Sequence, residues 1–137
     1  MPGTMTYVGF DVHARSAHAA AVDVMTGELS KMRFGAGLDA PIAWLQSLPA
    51  PVRTCYEAGP TGFGFYRAAV AAGVGMEVIA PGKTPRGKGE RVKSDRKDAE
   101  LLSRLLMSGS LTPITVPAPE VEAARELIGA MTPAGGI

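Results

Sequence analysis

The sequence predicts an α/β domain in which a mixed five-stranded sheet is flanked by helices, and three observations carry that prediction. The opening third alternates apolar and polar residues between turn signals, as an antiparallel meander does. The middle alternates short β-branched or apolar runs with segments of helical spacing, which builds parallel strands joined by helices. A chain of 137 residues, 46% hydrophobic and 20% charged, is enough for one core and leaves no room for a second full domain.

The first strand is expected over Thr6 to His13 and the second over His18 to Val24, with a short polar turn between them. Thr26-Gly27 signals a turn, after which Glu28 to Phe34 makes a third strand. From Asp39 to Leu48, the spacing of Ile42, Trp44, Leu45 and Leu48 predicts a helix, with Asp39 as N-cap, Pro41 in the first turn, and Pro49 and Pro51 as the stop. Val52 to Glu57 reads as a buried strand running into an Ala-Gly-Pro-Thr-Gly loop. A helix follows over Phe63 to Ala72, closed by Gly73 and Gly75. Met76 to Ala80 is the fifth strand, Pro81 to Lys93 a Gly/Pro/Lys/Arg loop, and Asp95 to Met107 a helix with Ala99, Leu102, Leu105 and Leu106 on one side. The order β-β-β-α-β-α-β-α is the ribonuclease-H-like layout. The expected division is an N-terminal tail over 1–5, the ribonuclease-H-like domain over 6–115, the start of a helical linker over 116–130, including a helix over Glu120 to Ala130, and an irregular tail over 131–137.

No apolar run approaches the ~20 residues of a membrane helix, and no basic region followed by an apolar run opens the chain, so a cytoplasmic protein is expected. The single cysteine, Cys55, excludes an internal disulfide and a cysteine-built zinc site, and it reads as a core residue, as do Phe34 and Trp44. Neither the Rossmann glycine pattern nor a P-loop is present.

Four acids form a constellation. Asp11 lies in the first strand and Glu57 at the end of the fourth; Asp95 and Asp98 stand three apart at the start of a helix, where they share a face. If the first strand is central and the fourth beside it, Asp11 and Glu57 are neighbours, and a helix packed across the sheet can add the other two. Carboxylates that close repel one another unless they take up protons or bind a hard cation, and all-oxygen ligation favours Mg²⁺ or Mn²⁺. Such ions serve in-line attack at phosphorus, so the expected substrate is a phosphodiester. Taken singly the acids also have bland readings: Asp95 and Asp98 as acids complementing a helix dipole, Glu57 as a surface residue. Asp11 is harder to place this way, since an acid in an apolar strand is desolvated at a cost unless it has a partner.

Net charge is +1, but 7 of the 14 basic residues crowd between positions 83 and 97: Lys83, Arg86, Lys88, Arg91, Lys93, Arg96 and Lys97. Bordering the aspartate helix, Lys83, Arg86, Lys88, Arg91, Lys93 and Arg96 are expected to contact a nucleic-acid backbone; the plainer alternative is a solvated loop. His13, two residues after Asp11, is within reach of a metal or phosphate but reads better as a supporting residue. Gly59, Thr61 and Gly62 suggest a phosphate-approaching turn at a helix N-terminus, or only a tight bend.

Three motifs, Gly9-Phe-Asp-Val-His13, Tyr56-Glu-Ala-Gly-Pro-Thr-Gly62 and Lys93-Ser-Asp-Arg-Lys-Asp-Ala99, resemble those of the DEDD transposases of the insertion-sequence 110 type. The resemblance spans roughly residues 6 to 130. It implies a fold similar to the Holliday-junction resolvase RuvC and places the four family acids on Asp11, Glu57, Asp95 and Asp98. It also implies DNA recombination by homo-oligomers of the full-length protein, for some members guided by a structured RNA. Family members continue into a second domain that supplies a nucleophilic serine. The expectation is therefore a truncated product, retaining the acidic site but lacking full strand exchange. Ser94, Ser108 and Ser110 do not lie in the motif of that serine. Two rival readings stay open: a non-catalytic nucleic-acid-binding remnant, and a sugar-kinase or actin-like ATPase lobe, which the missing phosphate loop and single lobe argue against.

Overall fold

The computed structural model describes residues 3–59, 62–80 and 95–117, and for Asp95, Arg96 and Lys97 the backbone alone. The expected loop over 81–93 and the helix over 120–130 lie outside the described residues. Eight elements follow one another: β1 (Thr6–Val12), β2 (Ala17–Asp23), β3 (Leu29–Phe34), α1 (Asp39–Ser47), β4 (Val52–Glu57), α2 (Gly64–Ala71), β5 (Gly75–Ile79) and α3 (Asp95–Ser108). The strands form one sheet in the order β3-β2-β1-β4-β5. β1 pairs antiparallel with β2, as β2 does with β3, whereas β1–β4 and β4–β5 are parallel. This is the mixed five-stranded sheet with flanking helices that the sequence predicts, with β1 at its centre.

Period-two alternation sorts the side chains onto two faces. On one, Val8, Phe10, Ala19, Ala21, Phe34, Tyr56 and Val78 join Leu45 of α1 and Phe65 and Ala69 of α2 in the larger core. Phe10 is central there: its ring meets Phe65 edge-on at 4.9 Å between centroids and Trp44 at 6.0 Å. Edge-on pairs of this kind add about 0.5–1.5 kcal/mol beyond area burial. On the other face, Cys55 and Ile79 pack against Leu102 and Leu106 of α3, with Tyr7 and Leu111 alongside.

α3 lies on a floor of small residues. Gly9 of β1 pairs with Ala20 of β2, and Ala99 of the helix is fully buried against them. A Cβ on Gly9 would stand 2.6 Å from the Ser103 nitrogen and 2.7 Å from the Leu102 Cβ, and would overlap the Ala99 carbonyl oxygen. Glycine is therefore required at this position by contact.

Two local expectations are corrected. Asp39 does not cap α1: it is the first helical residue, Leu38 stands at the cap, and the cap has no side-chain hydrogen bond. Gly73, at φ +80°, does close α2, its amide donating to the Val70 carbonyl, but Gly75 opens β5 instead. Beyond α3, the Ile114 amide donates to the Val78 carbonyl and Pro113 bridges Ile79, so this segment lines the free edge of β5. Among the described residues no helix is long and apolar enough to cross a membrane.

Candidate functional site

The parallel pairing of β1 and β4 sets Phe10 opposite Tyr56. The next residue on each strand is an acid, so Asp11 and Glu57 emerge side by side at the same end of neighbouring strands, which a sheet spaces by about 4.7–4.9 Å. Their face follows from the alternation. Asp11 stands two residues after Gly9, against which α3 packs. Glu57 stands two residues after Cys55, whose thiol lies 3.7 Å from the Leu102 carbonyl oxygen and donates to it. Both acids therefore belong to the α3 face. Each is half-buried, at a sheet end where β-structure gives way to loop.

α3 presents Ala99, Leu102, Ser103 and Leu106 to the sheet, all buried. Asp98 lies four residues before Leu102, and Asp95 four before Ala99, so both acids occupy positions on the stripe that packs on the sheet. The helix rests on β1, β2 and β4, the strands that include those bearing Asp11 and Glu57. Among the described residues, no three His, Cys, Asp or Glu side chains group closely enough to hold one metal ion. The described site is thus a carboxylate pair on adjacent strands, with Asp98 half-buried on the helix across the same face; the Asp95 side chain lies outside the described residues.

His13 has its ring Nε2 3.2 Å from Asp11 Oδ2. With the proton on Nε2 it donates to the carboxylate, which orients Asp11. The chain is held for this contact by the His13 amide donating to the Ser16 carbonyl. Behind His13 is a cavity of about 150 Å³ lined by Val12, Ala17, Leu38, Pro41 and Phe65. After Glu57, the Gly62 amide donates to the Gly59 carbonyl, and the Tyr56 hydroxyl donates to the Gly62 carbonyl at 3.0 Å. Gly62 sits at φ +72°, a left-handed conformation that glycine adopts at little cost. Thr61 lies outside the described residues.

Cys55, beneath the site, is not a reactive group. Burial pushes its thiol far up from the ordinary value, Glu77 and Glu57 push the same way, and Arg53 opposes them. Arg53 is tied to Glu77 in an ion pair and stands over the Tyr7 ring, 5.9 Å from its centroid.

Of the basic residues expected to touch nucleic acid, Lys83, Arg86, Lys88, Arg91 and Lys93 lie outside the described residues; Arg96 lies in the first turn of α3. His18 and Arg33 carry no motif signal in the sequence. The register pairs Asp11 with His18, and His18 with Arg33. A register signal was present, since strand length and turn position fix which residues face one another, but it becomes legible only once the meander's pairing is known.

The family model for DEDD transposases of the insertion-sequence 110 type, described as transposase, matches residues 8–132. The chain is 40% identical over 135 residues to the putative transposase y4qE of Sinorhizobium fredii, covering 93% of this chain and 34% of that one. It is 32% identical over 127 residues to the transposase for insertion sequence element IS1533 of Leptospira borgpetersenii, covering 89% of this chain and 37% of that one. It therefore spans about a third of the length of these relatives. Among solved structures, it is similar to the large terminase nuclease from thermophilic phage G20c, with a TM-score of 0.44 at 18% identity, covering 80% of this chain and 58% of that one.

Proposed function

Because the chain belongs to the insertion-sequence 110 type family of DEDD transposases, we propose that it provides the acidic centre of a DNA transposition reaction, with Asp11, Glu57, Asp95 and Asp98 as the metal-binding set. The observation that carries this reading is the adjacency of Asp11 and Glu57 at the same end of two parallel strands, on the face across which the helix of Asp95 and Asp98 is packed. The donor set is all carboxylate oxygen, which suits Mg²⁺ or Mn²⁺. When bound, such an ion supplies charge neutralisation at a phosphate and lowers the pKa of a bound water.

The chain's own residues do the positioning. β1 and β4 hold Asp11 and Glu57 in fixed register, Gly9 sets how closely α3 approaches them, and His13 orients Asp11 through its ring nitrogen. Lys83, Arg86, Lys88, Arg91, Lys93 and Arg96 precede or open the same helix, and in this reading they hold the DNA backbone at the acidic face. DNA is the substrate partner; homo-oligomers of the full-length protein and, for part of the family, a structured guide RNA complete the proposal, which places the protein in the cytoplasm.

Incubation of the purified chain with supercoiled plasmid and Mg²⁺ or Mn²⁺ tests the reading. The expected result is metal-dependent nicking that disappears in Asp11→Asn and Glu57→Gln while circular dichroism stays unchanged. Nicking that survives both substitutions would overturn the assignment. Salt-sensitive DNA binding with no nicking in either metal would replace it with a non-catalytic nucleic-acid-binding role.

A further inference from the structure

We infer that the open face of β2 and β3 beside Asp11, bearing His18, Arg33 and Lys31, is a track for the sugar-phosphate backbone of a DNA strand leaving the acidic site. This rests on the reading that the carboxylates act on DNA, and adds residues other than the basic ones at 83–96.

The register supplies the geometry. Asp11 pairs with His18 and His18 with Arg33, so Arg33, His18 and Asp11 form one row across the sheet. Directly opposed residues in antiparallel strands present their side chains on the same face. Two strand spacings put the Arg33 backbone about 10 Å from that of Asp11, within reach of the next phosphates along a strand held at the acids. Lys31 is two residues before Arg33 and shares its face. Its amine lies 3.4 Å from Glu100 Oε1 on α3, which fixes that face as the one carrying the acids.

This surface is open. α3 packs on β1, β2 and β4, while Lys31 and Arg33 on the edge strand are exposed, bordering a groove of about 350 Å³ together with His18. Arg33 has no ion-pair partner among the described residues, and its planar fork of donors suits a phosphate. Lys31 shares Glu100 with Arg104, so Glu100 remains paired if Lys31 turns to a phosphate. A phosphate placed beside two carboxylates is repelled by them, and flanking cations on the same face offset that repulsion. Charged residues on an edge strand also discourage strand-to-strand aggregation, but that role leaves DNA affinity and its salt dependence unchanged.

The test is fluorescence anisotropy of the full chain with a short labelled DNA duplex across a range of salt, in Ca²⁺ to avoid cleavage. Arg33→Ala and Lys31→Ala, singly and together, are compared with Arg67→Gln on α2, across the sheet. The slope of log affinity against log salt is expected to fall by about 0.9 for each contact removed, equally for unrelated sequences, and to stay unchanged in Arg67→Gln. Parental binding with an unaltered slope in the double variant would overturn the track and leave the proposed function standing. No parental binding at low salt would overturn both. Circular dichroism and unfolding midpoints like the parent's exclude a folding defect; Arg33→Lys, which keeps the charge, is expected to restore the slope.

Discussion

Adding a methyl group at Gly9 drives a carbon into the backbone of α3, at 2.6 Å from the Ser103 nitrogen and over the Ala99 carbonyl. Helix backbone cannot swing aside as a flexible side chain can, so Gly9→Ala is expected to displace α3 and destabilise the fold by about 1–3 kcal/mol, read as a lower urea midpoint. The same displacement moves the helix that carries Asp95 and Asp98, so affinity for metal is expected to fall with it. Thr54 makes the opposite case. It is fully buried in β4, and among the described residues its hydroxyl has no hydrogen-bond partner. Thr54→Val keeps the shape and removes the stranded polar atom, so stability is expected to rise by about 1 kcal/mol, measured by the same midpoint. No change or a loss would show that the hydroxyl finds a partner in solution.

The coupling of α3 to the sheet is visible at the scale of elements. Lys31 of β3 and Arg104 of the helix both pair with Glu100, the latter at 3.2 Å from one turn along. Burial alone raises the Glu100 pKa, but hydrogen bonds and charge from Arg104 and Lys31 outweigh it, leaving it below the ordinary value of 4.5. A carboxylate with a lowered folded pKa stabilises above its unfolded pKa, and that contribution is lost as pH falls through the folded value. Glu100→Gln is therefore expected to cost less than about 1 kcal/mol near neutrality, with the difference from the parent shrinking as pH falls below 4.5 and through the lowered folded value. A difference that persists in acid would assign the loss to packing instead. The elements themselves were largely legible in the sequence because each has its own periodicity: strand and helix limits fall within one residue of expectation from β2 to α3. What escaped was local and tertiary. Asp39 looks like a cap by residue type, but the helix begins at it, with Leu38 ahead. Gly75 looks like a helix stop, but it starts a strand packed on the Val52 carbonyl.

At the scale of the whole molecule, the sheet order turns distant sequence positions into one surface. The placement of Asp11 beside Glu57 followed from expecting β1 to be central and β4 next to it, and the sheet has that order. The row from Asp11 through His18 to Arg33 was not legible, because a meander's register depends on its turns and a slip of one residue would send Arg33 to the other face. The proposed function requires that the four acids meet in one metal centre. Calorimetric titration of Mn²⁺ into the purified chain, and into Asp11→Asn and Asp98→Asn, tests it most directly. Saturable binding by the parent, lost in both variants, is expected, with thermal stabilisation of the parent alone by about 2.7 kcal/mol at a hundredfold excess over Kd. A folded parent that binds no Mn²⁺, or variants that bind as tightly as the parent, would contradict it.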